Sequence, residues 1–125
     1  MSAFPSQRWA ERLGERLSGE AVTRWRPGAL ALLVSDDPEQ RAVLVELAES
    51  EPPAANSVTG QQARERARIV IEGPAAVWEA VLAGQEPPVH ALVNGRLRVT
   101  GGRLGEVAGH VDGYDALLRA AAALG

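Results

Sequence analysis

Between Ala67 and Gly102 the spacing of apolar residues changes repeatedly, and glycine or proline marks each change. Ala67, Ile69 and Ile71 alternate with Arg66, Arg68 and Glu72 among their neighbours, the two-residue period of a half-buried strand. Gly73-Pro74 then opens a helix, since a proline at the first helical position lacks only an N–H that would find no partner there. Val77, Trp78, Val81 and Leu82 form its apolar stripe, and Gly84 supplies the left-handed stop. Pro88 begins a second short helix carrying Val89, Leu92 and Val93, closed by Asn94-Gly95. Arg96 to Thr100 reads as a strand presenting Leu97 and Val99 to one side, and Gly101-Gly102 turns out of it. Few folds accept that order.

The flanking segments supply the remaining layers. Trp9, Leu13 and Leu17 recur at steps of four on a helix running from Ser6, whose hydroxyl can cap the first turn, to Leu17. Gly19 ends that helix, and Ala21 to Trp25 makes a further turn before Pro27-Gly28. Trp9 and Trp25 read as packing residues. Ala29 to Ser35 and Ala42 to Ala48 are apolar runs joined by Asp36-Asp37-Pro38-Glu39-Gln40, a hairpin whose acidic tip is solvated and too short for a calcium loop. Glu49 to Gln62 is polar and broken by Pro52-Pro53 and Gly60, so it reads as a loop with a short edge strand near Ala55 to Val58. Leu104, Val107, Val111, Tyr114, Leu118 and Ala121 mark a C-terminal helical segment that breaks at Gly113.

Strands followed by paired helices and one more strand specify an α+β sheet with helices packed on one face. The strand residues expected to face those helices run from Leu30, Leu32 and Val34 through Val43, Val45 and Leu47 to Ile69, Ile71, Leu97 and Val99. The other face keeps Leu33, Leu44 and Val70, too apolar for open solvent, so a further element covers it or a homodimer forms through it.

Composition removes whole classes of chemistry. At 125 residues and 13.2 kDa the chain is expected to form one domain over 1–125. A net charge of −3 argues against a nucleic-acid partner, which needs cationic phosphate contacts. There is no cysteine, and all 13 cationic residues are arginine, which eliminates disulfides, thiolate metal sites, a P-loop lysine and a Schiff base. His90 and His110 stand apart, with no companion at metal-ligand spacing and no nucleophile motif. Thr100-Gly-Gly-Arg-Leu-Gly105 follows a strand but lacks the glycine spacing of a dinucleotide loop. No enzyme activity, metal or cofactor is expected. No apolar run reaches membrane-spanning length and no signal peptide opens the chain, so stable membrane insertion is not expected and the cytoplasm is the expected location.

The order Ala67-Arg-Ile-Val-Ile71, Trp78-Glu-Ala-Val-Leu-Ala-Gly84 and Ala91-Leu-Val-Asn-Gly-Arg-Leu-Arg-Val-Thr-Gly101 resembles the sterol carrier protein type 2 (SCP2) domain family, in its small bacterial form. That family shows a strand of Ala-Asp-x-Thr-Ile type, an aromatic-bearing helix ending in glycine, and a Gly-Lys-Leu-Lys-Ile-x-Gly strand. Gly95-Arg-Leu-Arg-Val-Thr-Gly101 matches the last with arginine for lysine. The leading helix and the hairpin from Ala29 to Ala48 sit where the family's do, so the likeness covers most of the chain. Arg68 departs from the usual acidic residue, Gly102 from the usual Asn or Asp, and no peroxisomal tripeptide ends the chain.

The resemblance implies a five-stranded, largely antiparallel sheet backed by helices, with a hydrophobic tunnel between them. It implies a non-catalytic carrier for an apolar lipid: a fatty acyl chain, a sterol-like molecule or an isoprenoid. The expected tunnel residues are Trp78, Val81, Leu82, Leu92, Val93 and Leu97, with Val111, Leu117 and Leu118 from the C-terminal segment. The alternative is an accessory module of lipid- or quinone-modifying machinery that works through protein contacts.

Overall fold

The computed structural model describes residues 4, 6–18, 28–47, 54–101 and 119. Among these residues the elements in chain order are α1 (Gln7–Ser18), β1 (Gly28–Val34), β2 (Ala42–Leu47), β3 (Ala54–Val58), α2 (Gly60–Arg66), β4 (Ile69–Gly73), α3 (Ala75–Leu82), α4 (Pro88–Val93) and β5 (Arg98–Gly101). The strands form one sheet in the order β3-β2-β1-β4-β5. Every neighbouring pair is antiparallel except β1 and β4, which run parallel with Leu32 opposite Ile71. The expected α+β fold is therefore present, with one parallel pair at its centre.

Strand alternation divides the core in two. Leu30, Leu32, Val34, Val43, Val45, Ile69 and Ile71 point toward α1, α3 and α4, where they meet Trp9, Leu13, Trp78 and Val81. Ala31, Leu33, Ala42, Leu44 and Val70 point the other way and are buried there beneath α2, together with its Ala63. The expectation of a homodimer through Leu33, Leu44 and Val70 is thus corrected. All three are buried within a single chain, because α2 already covers that face.

α2 forms where the sequence reads as loop. Thr59 closes a capping box: its side chain accepts from the Gln62 amide at 3.1 Å, while the Gln62 side chain accepts from the Thr59 amide at 3.0 Å. Gly60 is present for close approach. A Cβ there would lie 2.7 Å from the Gln40 carbonyl oxygen at the hairpin tip, so only glycine lets α2 seat against the hairpin. Ala67 caps α2 and packs beneath it, so the strand starts at Ile69 and Ala67 does not share the Ile69–Ile71 face.

α1 closes the opposite edge. The Gln7 side chain accepts from the Ser57 amide at 2.8 Å and donates to Asn56 Oδ1 at 3.2 Å, which occupies part of the free rim of β3. Ser6 caps the helix as expected, its Oγ accepting from the Trp9 amide at 3.2 Å. The hairpin tip is exposed at Asp36, Pro38, Glu39 and Gln40, as expected, and the Asp36 and Asp37 side chains also accept hydrogen bonds. Asp37 binds the Arg41 guanidinium and accepts from the Glu39 and Arg41 amides, while Asp36 Oδ1 accepts from the Ala75 amide at 2.8 Å and so caps α3.

Candidate lipid site and sheet-edge groove

α3 delivers the centre of the candidate site. Val77, Trp78, Val81 and Leu82 are all buried, as four residues on one stripe of an eight-residue helix must be when that stripe lies on a sheet. Trp78 is 1% exposed, and its indole N–H donates to the Leu33 carbonyl at 2.9 Å, which fixes the ring against the end of β1. Phe4 fills the space beside it. Its ring meets Trp9 edge-on at 4.8 Å and Trp78 in a tilted contact at 5.4 Å. Nothing in the sequence marked Phe4, because a single aromatic ahead of Pro5 carries no periodicity.

The expected tunnel residues divide into three groups. Trp78, Val81, Leu82 and Leu97 come together in the core between helices and sheet, and Leu92 packs against that cluster half-buried. Val93 does not join them. It is 77% exposed, because α4 spans only six residues and turns Pro88 and Ala91 inward, leaving Val93 about 100° around the axis from Leu92. Val111, Leu117 and Leu118 lie outside the described residues.

Leu97 reaches the core from the turn before β5, not from the strand itself. The Arg96 and Leu97 amides both donate to the Ala91 carbonyl at 3.0 Å, which folds the chain back over α4. Gly73 makes room for it. A Cβ at that position would stand 2.5 Å from Leu97 Cδ2 and 3.2 Å from the Arg96 carbonyl oxygen.

Beyond Gly73 the surface opens into a groove of about 450 Å³ at the end of the parallel β1–β4 pair, floored by Gly73, Pro74 and Val77. Ser35, Glu72, Arg98 and Thr100 are among the residues that rim it. None of these was singled out as a site residue from sequence. Nearby, Glu86 is buried between α3 and α4 and accepts from Arg96 Nη1 at 3.0 Å, with His90 Nδ1 3.8 Å away. His90 is exposed and its other ring nitrogen faces Asn94 Nδ2 at 3.0 Å, so it belongs to a surface hydrogen-bond chain. Among the described residues no group of three or more His, Asp or Glu side chains is placed to hold a metal ion. None of their helices is long and apolar enough to cross a membrane.

No family model matches the chain, and no curated protein matches it. Solved structures do. A crystal structure of sterol carrier protein 2 is 28% identical over 94% of this chain and 95% of that one, with a TM-score of 0.81. The solution structure of TT1886 from Thermus thermophilus, described as possibly a sterol carrier protein, is 27% identical over 98% of this chain and 89% of its own, at 0.78. A UbiJ-SCP2 ubiquinone synthesis protein shares the fold at 16% identity and a TM-score of 0.59 over 97% of this chain and 95% of its own. The five-stranded mixed sheet and its helices match these structures, so the chain has the SCP2 fold and is similar in sequence, at 27–28% identity, to two proteins described as a sterol carrier protein or possibly one.

Proposed function

We propose that this chain is a non-catalytic carrier that holds the apolar part of a lipid between its sheet and helices. The observation that carries the reading is the likeness to sterol carrier protein 2 over nearly the full length of both chains, with Trp78, Val81, Leu82 and Leu97 gathered between sheet and helices here. Leu92 lines the same space from α4, and Val111, Leu117 and Leu118 complete the proposed lining from the C-terminal segment. The ligand class is a fatty acyl chain, a sterol-like molecule or an isoprenoid, and the proposed location is the cytoplasm. Hiding ~300 Å² of tail would gain about 7–8 kcal/mol at 25 cal/mol/Å² before ordering costs. Once those are subtracted, affinity falls near the micromolar range.

The accessory-module alternative draws on SCP2-like domains that resemble scaffolds of quinone- or lipid-modifying machinery and on the apolar back face. The fold shared with the UbiJ-SCP2 protein is compatible with it, whereas α2 covers that face. Titration with a fluorescent long-chain fatty acid tests the carrier reading directly. Binding is expected to saturate and to change tryptophan emission, because Trp78 stands in the layer the tail would enter. Absence of any saturable change up to roughly tens of micromolar, the range set by the estimate above, overturns it.

A further inference from the structure

We infer that the groove at the end of β1 and β4 is a second ligand site, separate from the interior lipid layer, for a small oxyanion carried on a short apolar body. Three observations meet there. The first is an uncommitted cation. Arg98 stands opposite Glu72 in the β4–β5 register, where opposite charges ordinarily pair. Glu72 instead accepts from Arg64 Nη2 of α2 at 3.4 Å, and among the described residues Arg98 makes no ion pair or hydrogen bond with its side chain. Its planar fork of N–H donors is therefore free to take a carboxylate or phosphate.

The second observation is a backbone irregularity at the rim. Val70 pairs with Gly101 and Ile71 with Val99, so Thr100 is the extra residue of a β-bulge. A bulge re-aims the side chain it carries, and Thr100 lines the groove beside Arg98. Ser35, just beyond the end of β1, lines the same groove. Neither hydroxyl is spent on a partner among the described residues, so both can donate to an oxyanion. The third is the floor. Gly73, Pro74 and Val77 present no polar side chain, and Val77 belongs to the buried core behind them. An anion alone would leave that floor wet, whereas an apolar body attached to it would cover the floor.

Backbone amide NMR with octanoate, 1-octanol and inorganic phosphate separates head from tail. Octanoate is expected to shift the Ser35, Gly73 and Thr100 amides saturably, binding at least about fivefold tighter than either other probe. Arg98→Gln, an exposed change, should weaken octanoate about fivefold or more at unchanged melting temperature, and Thr100→Val should weaken it further. Equal binding of phosphate overturns the apolar half, equal binding of octanol the anionic half, and retained affinity in Arg98→Gln the site itself. Shifts confined to the Trp78 indole N–H would place octanoate in the interior and also overturn the proposal. Long-chain lipid uptake reads out through Trp78, so either site can fail while the other stands.

Discussion

Trp78 has two roles in one ring, and they separate by mutation. Its faces pack against Phe4 and the α3 side of the core, while its N–H satisfies the Leu33 carbonyl at 2.9 Å. Trp78→Phe keeps much of the apolar surface and removes the donor. Losing a buried hydrogen bond together with some volume should cost about 1–3 kcal/mol. The expected signature is a lower denaturant midpoint at unchanged slope, since the extent of surface exposed on unfolding stays the same. A midpoint within error of the parent would mean that the Leu33 carbonyl finds another donor and that the indole N–H is not what fixes the ring. At this scale the sequence was partly legible. The 77–78–81–82 spacing placed Trp78 and its stripe correctly, whereas Val93 looked apolar and proved to be exposed. Periodicity over a six-residue helix cannot set its rotation, because such a helix offers less than two turns of pattern.

The elements show where local signals compete. Gly60 reads as a breaker and Gln61-Gln62 as polar loop, yet α2 forms because a capping box starts it and Ala63 gives it a buried contact. One small apolar residue is too faint a stripe to announce a helix, and the glycine that hid it serves the Gln40 contact instead. The β3 edge strand and the hairpin were legible, since alternation and turn residues agreed there. The hairpin tip adds a dependence on pH. Hydrogen bonds from the Arg41 side chain and then its backbone N–H hold the Asp37 carboxyl below its ordinary 3.8. A carboxylate with a folded pKa below its unfolded value of about 3.9 stabilises above that value, and the contribution disappears as pH falls through the folded pKa. Asp37→Asn should therefore lower stability by a constant amount above about pH 5, with the gap to wild type closing below about pH 4. Urea midpoints across that range check it. A gap that persists undiminished into acid would show that the loss comes from the Asn side chain's geometry and not from the charge.

For the whole molecule, the decisive fact is that the sheet is covered on both faces. The apolar back of β1, β2 and β4 looked like a subunit interface from sequence, but Leu33, Leu44 and Val70 are already buried under a seven-residue helix. A helix that short contributes little stability of its own, so the face is closed by Ala63 packing and by the Thr59 cap more than by helix propensity. Ala63→Glu places a carboxylate against apolar strands and should cost at least about 2 kcal/mol, which the helix can avoid only by lifting away. Lifting would expose a contiguous apolar patch, and such patches associate. Light scattering on the wild type is expected to give one mass near 13.2 kDa across a range of concentrations. The Ala63→Glu variant is expected to show mass rising with concentration and increased binding of a hydrophobic dye. If the variant stays monomeric with α2 protected from hydrogen exchange, the carboxylate has found solvent without displacing the helix. In that case α2 is not the lid on this face, and among the described residues the burial of Leu33 and Leu44 rests on the strands.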